Sequence, residues 1–145
     1  MPKKEATKHI RKYATNNPFE IARQKDITVI YESLGNALGY YNSYKRMKFI
    51  HINEDNDDVL SRFVCAHELG HAILHPDANT AFLKKKTFYS IERIEIEANT
   101  FAVELLLPDY TIHEHKDEYL TLNEIANIYG VPEEVTHLKS LRNVR

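Results

Sequence analysis

Cysteine occurs once in these 145 residues and tryptophan not at all, while glycine and proline number only four and five. A single cysteine excludes a disulfide framework and fits a reducing, intracellular setting. No stretch approaches the roughly 20 apolar residues of a membrane span, so no membrane partner is expected. Neither sign of charge dominates: 19 basic and 21 acidic residues leave a net −2. Direct nucleic-acid binding is therefore not the expected main activity. The chain has no repeats, no low-complexity tract and no Gly/Ser linker. Met1-Pro2-Lys3-Lys4-Glu5 leads into polar sequence without an apolar h-region, so no secretory signal is expected and a cytoplasmic location follows.

What remains is ordinary globular material, 43% hydrophobic and 28% charged. A chain of this size buries roughly 68–70% of its unfolded surface and needs no metal merely to fold. The first dozen residues are basic (Lys3, Lys4, Lys8, Arg11, Lys12) and read as a solvated helical arm over residues 1–15, with His9 exposed on it. Asn17-Pro18-Phe19-Glu20 has the cap, the proline and the returning acid of a helix start. Ile27–Tyr31, Leu38–Tyr44 and Lys48–Asn53 read as three strands of a small sheet, the last two forming an antiparallel hairpin. In the third strand Ile50 and Ile52 point one way and Phe49 and His51 the other. The acids Glu54, Asp55, Asp57 and Asp58 lack the glycine and glutamate of a calcium loop and read as a solvated turn ending in a helix cap.

Helical periodicity then runs from Val59 to His75, stopped by Pro76. A polar connection carrying Lys84-Lys85-Lys86 precedes a second long helix expected over Ser90–Leu107. Thr121-Leu122-Asn123-Glu124 is a capping box for a short helix ended by Gly130, and Pro132 opens another. The order of elements predicts an α+β domain. Its expected limits are residues 1–110, with a small helical C-terminal extension over 111–145 that could recognise substrate.

His67-Glu68-Leu69-Gly70-His71 is the sharpest motif. Four residues apart on a helix, His67 and His71 share one face and can turn a ring nitrogen each to one Zn²⁺. Glu68, rotated about 100° from His67, can reach a water without being a ligand. Chance produces H-E-x-x-H in a shuffled chain of this composition at about the 4% level. A third ligand is needed. Glu95 borders the Ala98/Ala102 edge of the second helix, where small side chains let two helices approach. Asn99, four residues on, could then bond a ligand imidazole. Glu97 borders the opposite edge and is the alternative, with Glu92 and Glu104 less well placed. His75 lies too far round the helix to converge with both other histidines and fits a supporting position. Cys65 reads as a buried apolar residue. His51, His113, His115 and His137 are further candidates for an oxyanion donor without positional support.

The stretch Phe63–His75, followed by Glu95-Ile96-Glu97-Ala98-Asn99-Thr100-Phe101-Ala102 and Leu105-Leu106-Leu107-Pro108, resembles the ImmA/IrrE family of zinc metallo-endopeptidases. Asn17–Ala22, Gly39-Tyr40-Tyr41 and Ile50–Asn53 extend the likeness over roughly residues 16–110. The resemblance implies a zincin-like, thermolysin-type domain in which His67 and His71 bind zinc and Glu68 is the general base. The acid before Ala98-Asn99 would be the third ligand, and two acids there leave its identity open. Leu107 stands where the family usually has Met, a volume-conserving change. The implied substrate is a helix-turn-helix transcriptional repressor of a mobile element or stress regulon.

Two imidazoles and one carboxylate leave zinc net positive, which suits metal-assisted hydrolysis. A peptide is expected to add as a strand along Lys48–Asn53. The alternative is a zinc-containing regulatory binding module without turnover. Structural zinc is usually closed by four protein ligands, often Cys, and this sequence offers three and no useful Cys. A helix-turn-helix reading of Leu122–Leu138 is opposed by Glu133 and Glu134, which would face phosphates.

Overall fold

Helix α3 (Asp58–Leu74) organises the protein, in a computed structural model that describes residues 1–141. Asp57 starts it, its carboxylate accepting the Leu60 N–H at 2.8 Å. The helix ends as the His75 N–H bonds the His71 carbonyl, just before Pro76. Its residues from Phe63 to Ala72 are all buried, polar ones included. A helix covered on every side is a central element, and α3 lies between the sheet and helix α4 (Arg93–Leu106).

The sheet has three strands in the order β1 (Thr28–Glu32), β3 (Met47–Asn53), β2 (Gly39–Tyr44). Strand β2 pairs antiparallel to β3, Gly39 opposite Ile52 and Tyr44 opposite Met47. Strand β1 pairs parallel to β3, Thr28 opposite Phe49. Lys45 and Arg46 close the hairpin with φ of 50° and 68°, the left-handed values a two-residue type I′ turn needs. Ile50 and Ile52 face the core at zero exposure. Gly39 passes so close to β3 and α3 that a Cβ would stand 2.6 Å from both the His51 carbonyl oxygen and Val64 Cγ1, which is why no side chain fits there.

Strand β3 is central and paired on both sides, so Lys48–Asn53 offers no free edge for an added peptide strand. The outer edge of β2 is covered at Gly39 by Leu83, through Leu38 N–H to Leu83 O (2.6 Å) and Leu83 N–H to Gly39 O (2.8 Å). Helix α1 (Pro2–Tyr13) is no solvated arm: it packs along α4 and buries Ala6 and His9. His9 meets the edge of the Phe101 ring at 6.4 Å. The second long helix begins at Arg93 rather than Ser90, because Ser90 and Glu92 hold extended backbone and the Ser90 hydroxyl accepts the Glu92 N–H. Ile91 consequently stands outside the helix and is exposed. The lysine-rich connection forms a 3₁₀ turn over Lys85–Tyr89, anchored by Phe88 edge-on to Phe63.

Helix α2 (Pro18–Gln24) is capped by Asn17, and the late helices are α5 (Asp109–Glu114), α6 (Leu122–Ile128) and α7 (Glu133–Thr136). Thr121 and Glu124 form the capping box of α6. Ile125, Ala126, Val131 and Val135 join the same hydrophobic core as α3 and α4. Residues 142–145 of the expected extension lie outside the described residues.

Candidate metal centre

The close approach of α3 and α4 makes the site. Gly70 faces α4, where a Cβ would sit 3.2 Å from the Ala98 carbonyl and from Phe101. Ala98 and Ala102 are fully buried at this contact. Their small size brings the two backbones together and points α4's polar side chains at the histidines of α3.

His67 Nε2 and His71 Nε2 lie 3.1 Å and 3.0 Å from the same oxygen, Glu95 Oε1. One ligand atom from each of the three residues falls within 4.8 Å of the others, and all three residues are buried. Glu97, the other acid weighed from the sequence, turns elsewhere and accepts from His75 Nε2 at 2.7 Å. That hydrogen bond holds its carboxyl below the usual range. Glu92 is the N-cap residue of α4, and Glu104 bonds Lys139 Nζ at 2.7 Å and the Ser140 N–H at 2.8 Å.

Asn99 Nδ2 donates to the Thr87 carbonyl (3.4 Å), which turns Asn99 Oδ1 to His67 Nδ1 at 2.7 Å. His67 Nδ1 therefore carries a proton and donates it to Asn99. A neutral imidazole so protonated has a bare lone pair at Nε2. That lone pair faces the Glu95 carboxylate, and two acceptors 3.1 Å apart need positive charge between them. Burial pushes the Glu95 carboxyl up, but the facing His67 and His71 pull it further down, so the carboxyl is ionised. The donor set of two imidazoles and one ionised carboxylate fits a divalent metal of borderline softness.

Glu68 stands apart from its neighbours. It is fully buried, and neither carboxyl oxygen has a hydrogen-bond partner. Burial raises it to about 8, opposed by the nearby His71 and assisted by Glu95. A buried carboxyl without partners costs on the order of 1–3 kcal/mol, the kind of cost a functional site retains. Cys65 is buried, and burial pushes its thiol up, so it stays protonated and apolar.

The other histidines are elsewhere. His51 lies between Glu32 (2.6 Å) and Asn42 (2.7 Å) with Tyr40 stacked on its ring at 4.0 Å. His115 bonds Glu118 and the Tyr129 hydroxyl. His113 is near Lys116, and His137, the C-cap residue of α7, is exposed. Among the described residues, the metal-capable group contains none of them. The sequence reading did not pair His75 with Glu97. Their contact joins the end of α3 to the first half of α4, and only the four-residue step from His71 to His75 hints at it.

An α+β frame with two helix-borne histidines and a carboxylate from the adjoining helix is the arrangement of a metallopeptidase domain. Residues 22–140 match the family described as the IrrE N-terminal-like domain, and the chain belongs to the ImmA/IrrE family of metallopeptidases. It is 34% identical over 134 residues to Metallopeptidase ImmA of Bacillus subtilis (strain 168), covering 90% of this chain and 78% of that protein. It is 48% identical over 137 residues to "Uncharacterized immunity region protein 2" of Bacillus phage phi105, covering 94% of this chain and 87% of that protein. Among the described residues no helix is long and apolar enough to cross a membrane.

Proposed function

We propose that the chain is a zinc-dependent endopeptidase of the zincin-like, thermolysin type that hydrolyses a peptide bond in a protein substrate. The observation that carries this reading is the convergence of His67, His71 and Glu95 beside a buried, unpartnered Glu68. His67, His71 and Glu95 hold the ion. Bound zinc supplies a Lewis acid that makes water acidic near neutral pH and polarises a carbonyl. Three protein ligands leave coordination open, as catalytic rather than structural sites do, which favours turnover over a purely regulatory module.

The chain's own residues do the rest. Glu68 takes a proton from water as the water oxygen attacks the peptide carbonyl carbon. When the C–N bond breaks, Glu68 returns that proton to the leaving amine, so the carboxyl ends as it began. A site that destabilises the bare carboxylate, as burial does here, gives Glu68 the basicity to accept the proton. Asn99 holds His67 in the tautomer that presents Nε2. Residues 1–110 carry this chemistry, and the helices beyond help hold the substrate.

The substrate proposed is a helix-turn-helix repressor of a mobile element, met in the cytoplasm. The names of the two relatives, one from a phage immunity region and one a metallopeptidase, support that class. The test is incubation of the purified protein with the repressor encoded beside it, with and without zinc, and mapping of product ends. Zinc-dependent cleavage is expected, with Glu68→Gln keeping zinc while losing about 10²–10⁴-fold in rate. Intact repressor bound tightly by zinc-loaded protein would favour the regulatory module, and a Glu68→Gln variant as fast as the native chain would remove Glu68 as base.

A further inference from the structure

The run of imidazoles continues past the three converging residues. His75, one turn beyond His71, places its Nδ1 3.1 Å from His71 Nδ1. Its other nitrogen, Nε2, lies 2.7 Å from Glu97 Oε1, and Glu97 also accepts from Arg93 Nε at 3.4 Å. We infer that His75 and Glu97 are positioning residues for His71, setting the tautomer that leaves its Nε2 lone pair free for the metal. This rests on the reading of His67, His71 and Glu95 as ligands.

The order of donors along the row decides the matter. A neutral imidazole has one N–H and one lone pair. His75 Nε2 faces a carboxylate and so carries the proton, which leaves His75 Nδ1 as an acceptor. Two Nδ1 atoms in contact need one donor between them, and that donor is His71 Nδ1–H. The His71 Nε2 lone pair is then the one aimed at the convergence point, 3.0 Å from Glu95 Oε1. On the other side of the group, Asn99 sets His67 by the same logic through a different atom type. Each ligand imidazole thus has its own partner, one an amide on α4 and the other a histidine tied back to α4. His75 has both nitrogens engaged, so its place is behind the ligand and not on the metal.

Arrangements behind a metal ligand govern affinity as well as geometry, typically by 10–100-fold. The experiment titrates the metal-free full chain with zinc against a chromogenic chelator, for the native chain and for His75→Leu, His75→Gln and Glu97→Ala. His75→Leu removes the acceptor and is expected to weaken zinc binding about 10–100-fold. His75→Gln keeps an amide oxygen that can accept the His71 Nδ1–H, and most of the affinity should return. Glu97→Ala should lose less, in the same direction, and it keeps the test decisive where His75→Leu does not fold. In zinc-loaded native protein the His71 Nδ1 proton should give a slowly exchanging NMR resonance, lost in His75→Leu. Native affinity in both His75→Leu and Glu97→Ala overturns the inference, as does a glutamine variant as weak as the leucine one. A native chain that binds no zinc overturns the metal reading beneath it, which is a different result from bound zinc indifferent to His75.

Discussion

Two buried acids of α4 live under opposite conditions. Glu104, near the helix end, is matched by its surroundings: Lys139 Nζ at 2.7 Å and the Ser140 N–H at 2.8 Å. Lys139 also reaches Asp109 at 2.6 Å, and Lys3 reaches Asp109 at 3.0 Å. Two cations meet two anions, and the cluster ties α1, α4, α5 and the stretch after α7 together. Nine residues earlier, Glu95 meets two imidazoles on one oxygen, and Glu68 beside them meets nothing. A polar cluster that closes its own accounts holds structure together. One left short of positive charge and of a donor has a task its own residues do not complete.

The largest effect should come from breaking the closed cluster. Lys139→Ala leaves the buried Glu104 only the more distant Lys3 Nζ, 3.8 Å away, for a cation and should cost about 3–5 kcal/mol, read from denaturant unfolding. Loss below about 1 kcal/mol would mean that water compensates the acid and the two clusters are less different than their contacts indicate.

Adding metal should then separate the clusters. At a thousandfold excess over Kd, zinc should stabilise the native chain by about 4 kcal/mol, and a chelator should reverse it. Lys139→Ala should keep that increment, whereas Glu95→Gln should lose most of it. Calorimetry with and without zinc reads both, and an equal increment in Glu95→Gln would take Glu95 out of the ligand set.

A smaller effect runs in the opposite direction. Glu68→Gln removes a buried carboxyl that must take up a proton on folding, so at neutral pH the metal-free variant should be more stable by about 1 kcal/mol, roughly 4 °C in melting temperature for a domain of this size. A less stable variant would show that Glu68 is held by contacts the structure lacks.

The smallest effect is on acid stability. Burial would raise the Asp109 carboxyl, but hydrogen bonds from Lys139 and Lys3 more than offset it and hold it below the ordinary range. A lowered folded value means stability that is present above the ordinary carboxylate value near 3.9 and is lost as pH falls through the folded one. Asp109 is half exposed, so its share is under about 1 kcal/mol. Asp109→Asn should flatten the unfolding curve below about pH 4, and an unchanged acid limb would assign that limb to other groups.

Local signals were the legible ones. The Asp57 cap, the Thr121–Glu124 box and the stop at Pro76 each act within a few residues, and each operates as its sequence suggests. The hairpin Gly39–Asn53 follows from two alternating runs around a polar turn. Long-range matters were not legible in the same way. That β1 would lie parallel beside β3, leaving β3 no free edge, depends on a connection whose path no short window describes. Helix α1 looked solvated because its partner, α4, lies some 80 or more residues away, and because its stripe of Ala6, His9, Ile10 and Tyr13 carries only two large apolar side chains among five basic residues. The pairing of Lys139 with Glu104 had no sequence signal at all, since nothing in their local sequence separates these two from the solvated lysines and glutamates of the chain.

The amino-acid order alone determined that His67, Glu68 and His71 ride one helix, because 3.6 residues per turn leaves no other arrangement once that segment is helical. It also determined that the neighbouring helix would bring small residues and acids to meet them. Which acid faces the imidazoles, and which supports them from behind, was decided by how α4 is rotated where Gly70 seats against Ala98 and Phe101. That rotation is set by packing over the whole core, and a turn of one residue in a helix swings a side chain by about 100°. Tertiary structure therefore chose between Glu95 and Glu97, and left Glu68 alone in the interior.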